Sequence, residues 1–367
     1  MIPYILLIII PFLFAFIELT YIKKPEYYPI RGSRIHLYNI RIILSVLLMV
    51  LFVIVVGTTD GNGLDWWTDD GGYAKIDYSK ISVFDWSQFE GGFVLVNQLA
   101  GNFHLFIFCM ALVCFAITLK VIKIESPYII VSLFIFIASN ALYQFMGVYR
   151  HAIAQTIVML LWITKSNTKK QFLIVLAAMT FHIAAAISFL YFFIPKNKII
   201  NIKQITMIIM ASVIIRYLLI ILMPVIITLA LGPVGDKLSF YDNNDGSNGA
   251  FGLNYFIFRC FIVLSSYFII NKHNKKHVFY YNTYVVSVAI YIALTISPTF
   301  YRLSMFFSSV EIILIPIIID EVRKKYRYNA NYIFMFLIFS FLYVYLFFVT
   351  LRQGFESYVP YKSFLFV

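Results

Sequence analysis

The sequence is poor in charge. Only 13% of its 367 residues are Asp, Glu, Lys or Arg, and 17 acids stand against 29 Lys and Arg. Cysteine is scarce too. Cys109, Cys114 and Cys260 each lie in an apolar run, which argues against a disulfide framework and a cysteine metal cluster. No polar stretch is long enough for a separate soluble domain. No Walker motif, nucleophile elbow, HExxH or CxxC occurs. "DNNDG" at 242–246 resembles a calcium loop, but the acid required at the twelfth position is missing. The short alternating segments of a β-barrel are absent, and so is the internal repeat common in transporters.

What the chain does have is apolar surface, 62% of its residues. Repeated runs of about 18 to 25 apolar residues predict an all-α, polytopic membrane protein. The candidate spans are 2–21, 40–57, 102–121, 127–146, 150–164, 171–194, 204–230, 254–271, 278–296, 303–319 and 331–350. Together they form one transmembrane domain, 1–367. The first run has no basic region before it and no small-residue cleavage site after it, so it reads as a retained span rather than a signal peptide. The formal charge of +12 is spread over short clusters between spans, the pattern of topology determinants rather than of nucleic-acid binding.

Six connecting segments are basic: 21–41, 120–125, 165–170, 196–203, 272–277 and 323–327. They hold 20 of the 29 Lys and Arg residues, and the positive-inside rule puts them in the cytoplasm. Loop 58–92 carries seven acids against Lys75 and Lys80 and falls outside, as do Arg150, "SPTFYR" at 297–302 and the tail after 350. One parity conflict arises. Segments 165–170 and 196–203 are both basic, yet a single apolar run of 24 residues, about 36 Å as one helix, separates them. A break near Thr180–His182 resolves it by making two half-length helices that enter and return. Such backbone is tolerated at depth where protein or water covers it.

Several polar residues need a reason. Arg150 and Arg302 each open an outer helix start, where a cation opposes the helix dipole. A bound phosphate or pyrophosphate would reverse that, because helix N–H groups and a guanidinium fork both suit phosphate oxygens. The bland alternatives are snorkelling, or pairing with a loop acid such as Glu90 or Asp69. His182 lies in the proposed break and marks either function or an interhelical hydrogen bond. Arg216 lies in mid-run, and Glu311 follows Arg302 closely enough to neutralise it. His104 and His151 flank spans. Glu90 stands at the membrane edge beside two glycines that allow close backbone approach. Partial desolvation there is expected to raise its pKa toward the range of a general base. In loop 58–101, acids mix with Trp66, Trp67, Trp86, Tyr73 and Tyr78. That composition suits either a carbohydrate site or an interfacial aromatic belt. Loop 231–253 is Gly- and Asn-rich and reads as an outer loop or lid.

Read in order, these features resemble the EpsG/Wzy-type family of polysaccharide polymerases. The resemblance runs through "DWW...GGY", "EGGFVLVN", "YRHAIAQTI", "KKQFLIVLAAMTFHIAAAI", "FYRLSMFF" and "SYVPYKSF", across about residues 57 to 363. Gly91 departs from the family's usual proline. The resemblance implies a GT-C-like glycosyltransferase in the bacterial inner membrane with its site facing the periplasm. It would join undecaprenyl-diphosphate-linked oligosaccharide units of an O-antigen or other surface polysaccharide, inverting the anomeric centre. Arg150 and Arg302 would bind the leaving diphosphate, so that no metal or other cofactor is implied. Glu90, His182 and Asp65 are the catalytic candidates, in that order. Trp66, Tyr73, His151, Tyr301 and Tyr361 are candidate sugar contacts. A chain-length regulator protein is an expected partner, beside membrane lipid. The competing readings are an O-antigen ligase, which shares the donor chemistry, and a flippase, which needs a cationic path through the membrane.

Overall fold

The computed structural model describes residues 1–21, 31–63, 72–86, 88–164, 167–229, 252–296, 300, 302–326 and 330–365. Asp65, Trp66, Tyr301 and nearly all of loop 231–253 lie outside the described residues. Among those described, the chain is helical, without strands. One isolated bridge pairs Thr59 with Ser363.

The leading helices are α1 (Ile2–Thr20), α2 (Arg31–Val56), α3 (Gly91–Ala100), α4 (Phe103–Glu125), α5 (Ile129–Asn140), α6 (Tyr149–Met159), α7 (Thr168–Met179) and α8 (Ile202–Leu229). Helices Leu253–Ile269, Lys275–Leu294, Glu311–Lys325 and Asn331–Gln353 follow. Asparagine side chains start several of them. Asn102 Oδ1 accepts the Leu105 N–H at 2.7 Å, and Asn167 Oδ1 that of Lys170 at 2.9 Å. Each satisfies an N–H that the helix leaves free. Helix α3 was not expected, because its ten residues belong to the predicted outer loop 58–101. It is about 15 Å long, and Gly101, at φ 72°, ends it in the left-handed region.

Among the described residues, five helices are long and apolar enough to cross a membrane, or six if the bent pair Arg302–Ser308 and Glu311–Lys325, at 40°, counts as one. The expected spans 127–146, 150–164 and 171–194 contain shorter helices because turns interrupt them. Helix α5 gives way to turns before Val148, and α6 continues as a 3₁₀ turn, Leu160–Trp162. The run 171–194 is broken where parity required. Helix α7 ends at Met179, and a 3₁₀ helix, Ile183–Phe193, follows the turn.

The chain divides into two compact units: residues 1–186 with 315–367, and residues 187–314. The first unit has two chemically distinct ends. At one, the buried Glu18 of α1 accepts the N–H groups of Ile129, Ile130 and Val131 at 3.1, 2.8 and 3.1 Å and pairs with Arg41 Nε at 3.1 Å. A carboxylate on a helix N-terminus complements its dipole. Close by, Tyr128 donates to Asp320, and Arg323 donates to Tyr128. Arg41 and Arg323, each from a basic segment, therefore both lie at this end, next to the start of α5. At the far end of α1, the Tyr4 hydroxyl donates to the Tyr358 carbonyl at 2.6 Å. There the tail is strapped down. Asn62 donates to the carbonyls of Tyr358 and Pro360 and accepts from Lys362.

In the second unit, Asn282 of helix Lys275–Leu294 is fully buried and satisfied three times. It donates to the carbonyls of Pro195 and Lys198 and accepts from Ile200 N–H. This clasp holds segment 196–203 to the helix that starts at Lys275, so two basic segments share one end of that unit.

Candidate functional site

The site grows from the start of α3. Glu90 is its N-cap, with extended backbone. Gly91 and Gly92 follow, and neither has room for a side chain. A Cβ on Gly92 would lie 2.5 Å from Thr180 Oγ1 and 2.8 Å from the Thr180 carbonyl oxygen, and one on Gly91 would overlap the Val83 carbonyl. The bare backbone lets Gly92 N–H donate to the Thr180 carbonyl at 2.8 Å. That bond seats the turn after α7 against the start of α3. The glycine pair therefore does what the sequence suggested, and its close neighbour is the broken run.

The turn delivers His182. Its Nδ1 lies 3.2 Å from Glu90 Oε1, and Ile183 N–H donates to the same oxygen at 3.1 Å. The other oxygen, Oε2, accepts Arg150 Nη1 at 2.8 Å. Arg150 is the second residue of α6. The three residues come from three helix ends, 60 and 92 positions apart in sequence, and meet on one carboxylate only 7% exposed.

Burial pushes the Glu90 carboxyl up, as the sequence led one to expect. The hydrogen bond from His182, the charges of Arg150 and His182 and the Ile183 N–H outweigh it, and the group is held down at about 2. The expected upward shift is thus corrected, since three donors compensate the lost water. Glu90 is ionised at neutral pH, and an ionised carboxylate only accepts hydrogen bonds. His182 Nδ1 carries the proton between them, and in the neutral imidazole Nε2 keeps a lone pair. The His182 side chain is 25% exposed.

Arg150 rests among aromatic rings. Its guanidinium lies 5.7 Å from the Tyr73 ring centroid and 5.4 Å from that of Phe89. Tyr73 packs on Phe89, Phe93, Phe103 and Tyr149, at 5.6 to 6.5 Å. These contacts hold the guanidinium by cation–π attraction, and the Arg150 side chain is 24% exposed. The buried His151 ring meets His182 edge-on at 5.6 Å.

Of the ten candidate residues, five assemble here: Glu90, His182, Arg150, Tyr73 and His151. Tyr361 does not join them. Its hydroxyl donates to the carbonyls of Val55 and Ile54 at 2.9 and 3.2 Å, and its ring packs against Tyr4. Arg302 belongs to the second unit, where it opens the 3₁₀ turn Arg302–Ser304. Asp65, Trp66 and Tyr301 fall outside the described residues. Phe89 was missed as a platform for Arg150, and Thr180 as the partner of Gly92. Adjacency to Glu90 was the only available signal for Phe89.

Apolar helices long enough to cross a membrane, together with a buried carboxylate joined to an arginine and a histidine, define a multi-pass membrane protein with a polar site. The chain belongs to the EpsG family, a family of polysaccharide polymerases, whose model matches residues 41–363. No curated protein and no solved structure matches it.

Proposed function

We propose that this protein joins polyprenyl-diphosphate-linked oligosaccharide repeat units at the outer face of the bacterial inner membrane. The observation that carries the reading is Glu90, with Arg150 on one oxygen and His182 on the other. In this reading Arg150 receives the donor's diphosphate, and its charge stabilises the electron pair left on the departing oxygen. The acceptor's sugar hydroxyl attacks the anomeric carbon from the opposite face and inverts it. His182 Nε2 takes the hydroxyl proton, and Glu90 holds the imidazole in the right tautomer and stabilises the imidazolium that forms, as the carboxylate of a catalytic triad does. The base thus moves from Glu90 to His182, and Glu90 becomes the group that positions it. Tyr73 supplies a ring face for a sugar, and His151 backs His182.

The eleven apolar runs are read as a GT-C-like membrane domain with the run 171–194 re-entrant and its break outside the cytoplasm. The segregation of basic segments at one end of each unit supports this orientation. The substrates are undecaprenyl-diphosphate-linked donor and acceptor, and no divalent metal is required. A chain-length regulator protein is the proposed partner.

The test is a purified protein given one lipid-linked repeat unit. Products spaced by one repeat, with free polyprenyl diphosphate released in equal amount, support the proposal. Transfer of whole chains to lipid A core would indicate a ligase instead. Movement of the lipid-linked unit across the bilayer without bond formation would indicate a flippase.

A further inference from the structure

The second unit holds a buried cation that the reaction above does not use. Arg259, on helix Leu253–Ile269, is 8% exposed. Its Nη1 donates to Ser287 Oγ at 2.9 Å, and its guanidinium lies 4.5 Å from the Tyr291 ring centroid. Both partners are neutral. Among the described residues no carboxylate pairs with it, and the nearby acid Glu311 acts on Tyr284. A fixed charge buried in a membrane domain without a counter-ion is costly.

The arrangement has direction. Ser287 Oγ, which accepts from Arg259, donates to the Ser304 carbonyl at 3.1 Å. Ser304 closes the 3₁₀ turn that Arg302 opens. Tyr291 donates to the Gly252 carbonyl, just before helix Leu253–Ile269. Arg259 therefore lies about two helix turns inside the end of the unit opposite the basic segments 196–203 and 272–277. In the proposed orientation this is the outer end of the unit, the end that a lipid-borne phosphate on the outer leaflet would reach. One of the guanidinium's five N–H donors is committed to Ser287. The planar remainder suits two phosphate oxygens, and the Tyr291 ring fixes its plane.

We infer that Arg259, aligned by Ser287 and Tyr291, forms a second phosphate site that takes the diphosphate of the acceptor lipid. This rests on the proposed polymerase reading, in which two lipid-linked molecules must be held at once. Arg150 then serves the donor, and the second unit serves the acceptor.

The test counts bound lipid and needs no turnover. Sugar-free undecaprenyl diphosphate is titrated into the purified full-length protein, and stoichiometry is read by native mass spectrometry. Two molecules are expected for the unaltered protein, one for Arg259→Met and one for Arg150→Met. Arg259→Lys keeps the charge but not the fork, and should weaken the second molecule roughly tenfold while leaving the first unchanged. If Arg259→Met does not fold, Arg259→Lys carries the test, and unchanged affinity there overturns the assignment. A stoichiometry of one in the unaltered protein, or of two in Arg259→Met, overturns it as well. Phosphatidylglycerol is titrated in parallel. Equal occupancy by that phospholipid would make the site a structural lipid contact and sink the acceptor assignment. Failure of the polymerase reading shows separately, as absent chain growth with both lipids still bound.

Discussion

Glu90 Oε1 and His182 Nδ1 lie 3.2 Å apart although 92 residues separate them in sequence. A carboxylate held ionised on the Nδ1 side of an imidazole turns the opposite nitrogen into a proton acceptor with a fixed direction. Two residues then act as one unit, and units of this kind lose activity non-additively.

The first prediction follows. Glu90→Gln and His182→Ala should each lower kcat with lipid-linked donor by two to four orders of magnitude. The double variant should be no slower than the worse single variant. Donor binding by Glu90→Gln should survive, since Arg150 keeps its charge. Multiplying losses in the double variant would show that the two residues act independently.

Arg150 gives the second prediction. Arg150→Ala leaves Glu90 buried beside His182 without its strong cation, a change that costs on the order of 3–5 kcal/mol for a buried pair. Chain extension should stop and thermal stability fall. Arg150→Lys restores a charge but neither the ring stacking against Tyr73 and Phe89 nor a bidentate phosphate contact. It should recover stability more than activity, leaving kcat/KM at least tenfold low. Full activity in the lysine variant, measured on the purified protein, would reduce Arg150 to a generic charge.

Much of this site was legible in the sequence, for identifiable reasons. A cation opening an outer helix, a histidine inside an apolar run and a Glu-Gly-Gly step each break a local rule, so Arg150, His182 and Glu90 stood out singly. The break at Thr180–His182 followed from charge parity alone. That all three meet on one carboxylate was not legible, because it depends on Gly92 touching Thr180, a contact with no sequence signal. The sign of the Glu90 shift failed for the same reason. Desolvation can be guessed from position, whereas three donors from other helices cannot. Helix α3 was lost inside a loop because ten apolar residues are too few to read as a span. The aromatic tail motif marks Tyr361 as a candidate sugar contact; in the structure its hydroxyl ties the tail to the end of α2.

The third prediction uses that glycine contact. In Gly92→Ala the new methyl must displace Thr180, whose carbonyl and hydroxyl both lie inside its radius. Overpacking of this kind typically costs about 1–3 kcal/mol. The turn carrying His182 moves with Thr180, and a shift of about 1 Å at a reacting group can cost roughly a hundredfold in rate. The variant should therefore bind donor normally and turn over about a hundredfold more slowly. Leu99→Ala, at an exposed position of the same helix, should change neither. Normal turnover in Gly92→Ala would separate the α3–α7 contact from the chemistry.

The last prediction concerns acid. The Glu90 carboxyl falls from 4.5 to about 2 on folding, so its ionised form is favoured in the folded state. A group of this kind contributes stability that is fully present above its unfolded pKa and is lost as pH falls through its folded value. The window thus runs from about pH 4.5 down to about 2, and the contribution is roughly 3 kcal/mol at the conversion of 1.36 kcal/mol per pKa unit. Above pH 5 the Glu90 carboxylate stays ionised and its contribution is constant. The unfolding midpoint of the detergent-solubilised protein should exceed that of Glu90→Gln by a constant amount from pH 5 to 8, and the two curves should converge below pH 4.5. If the stability gap instead closed between pH 5 and 7, in step with activity, the carboxyl would be titrating in the working range, and Glu90 would return as the base.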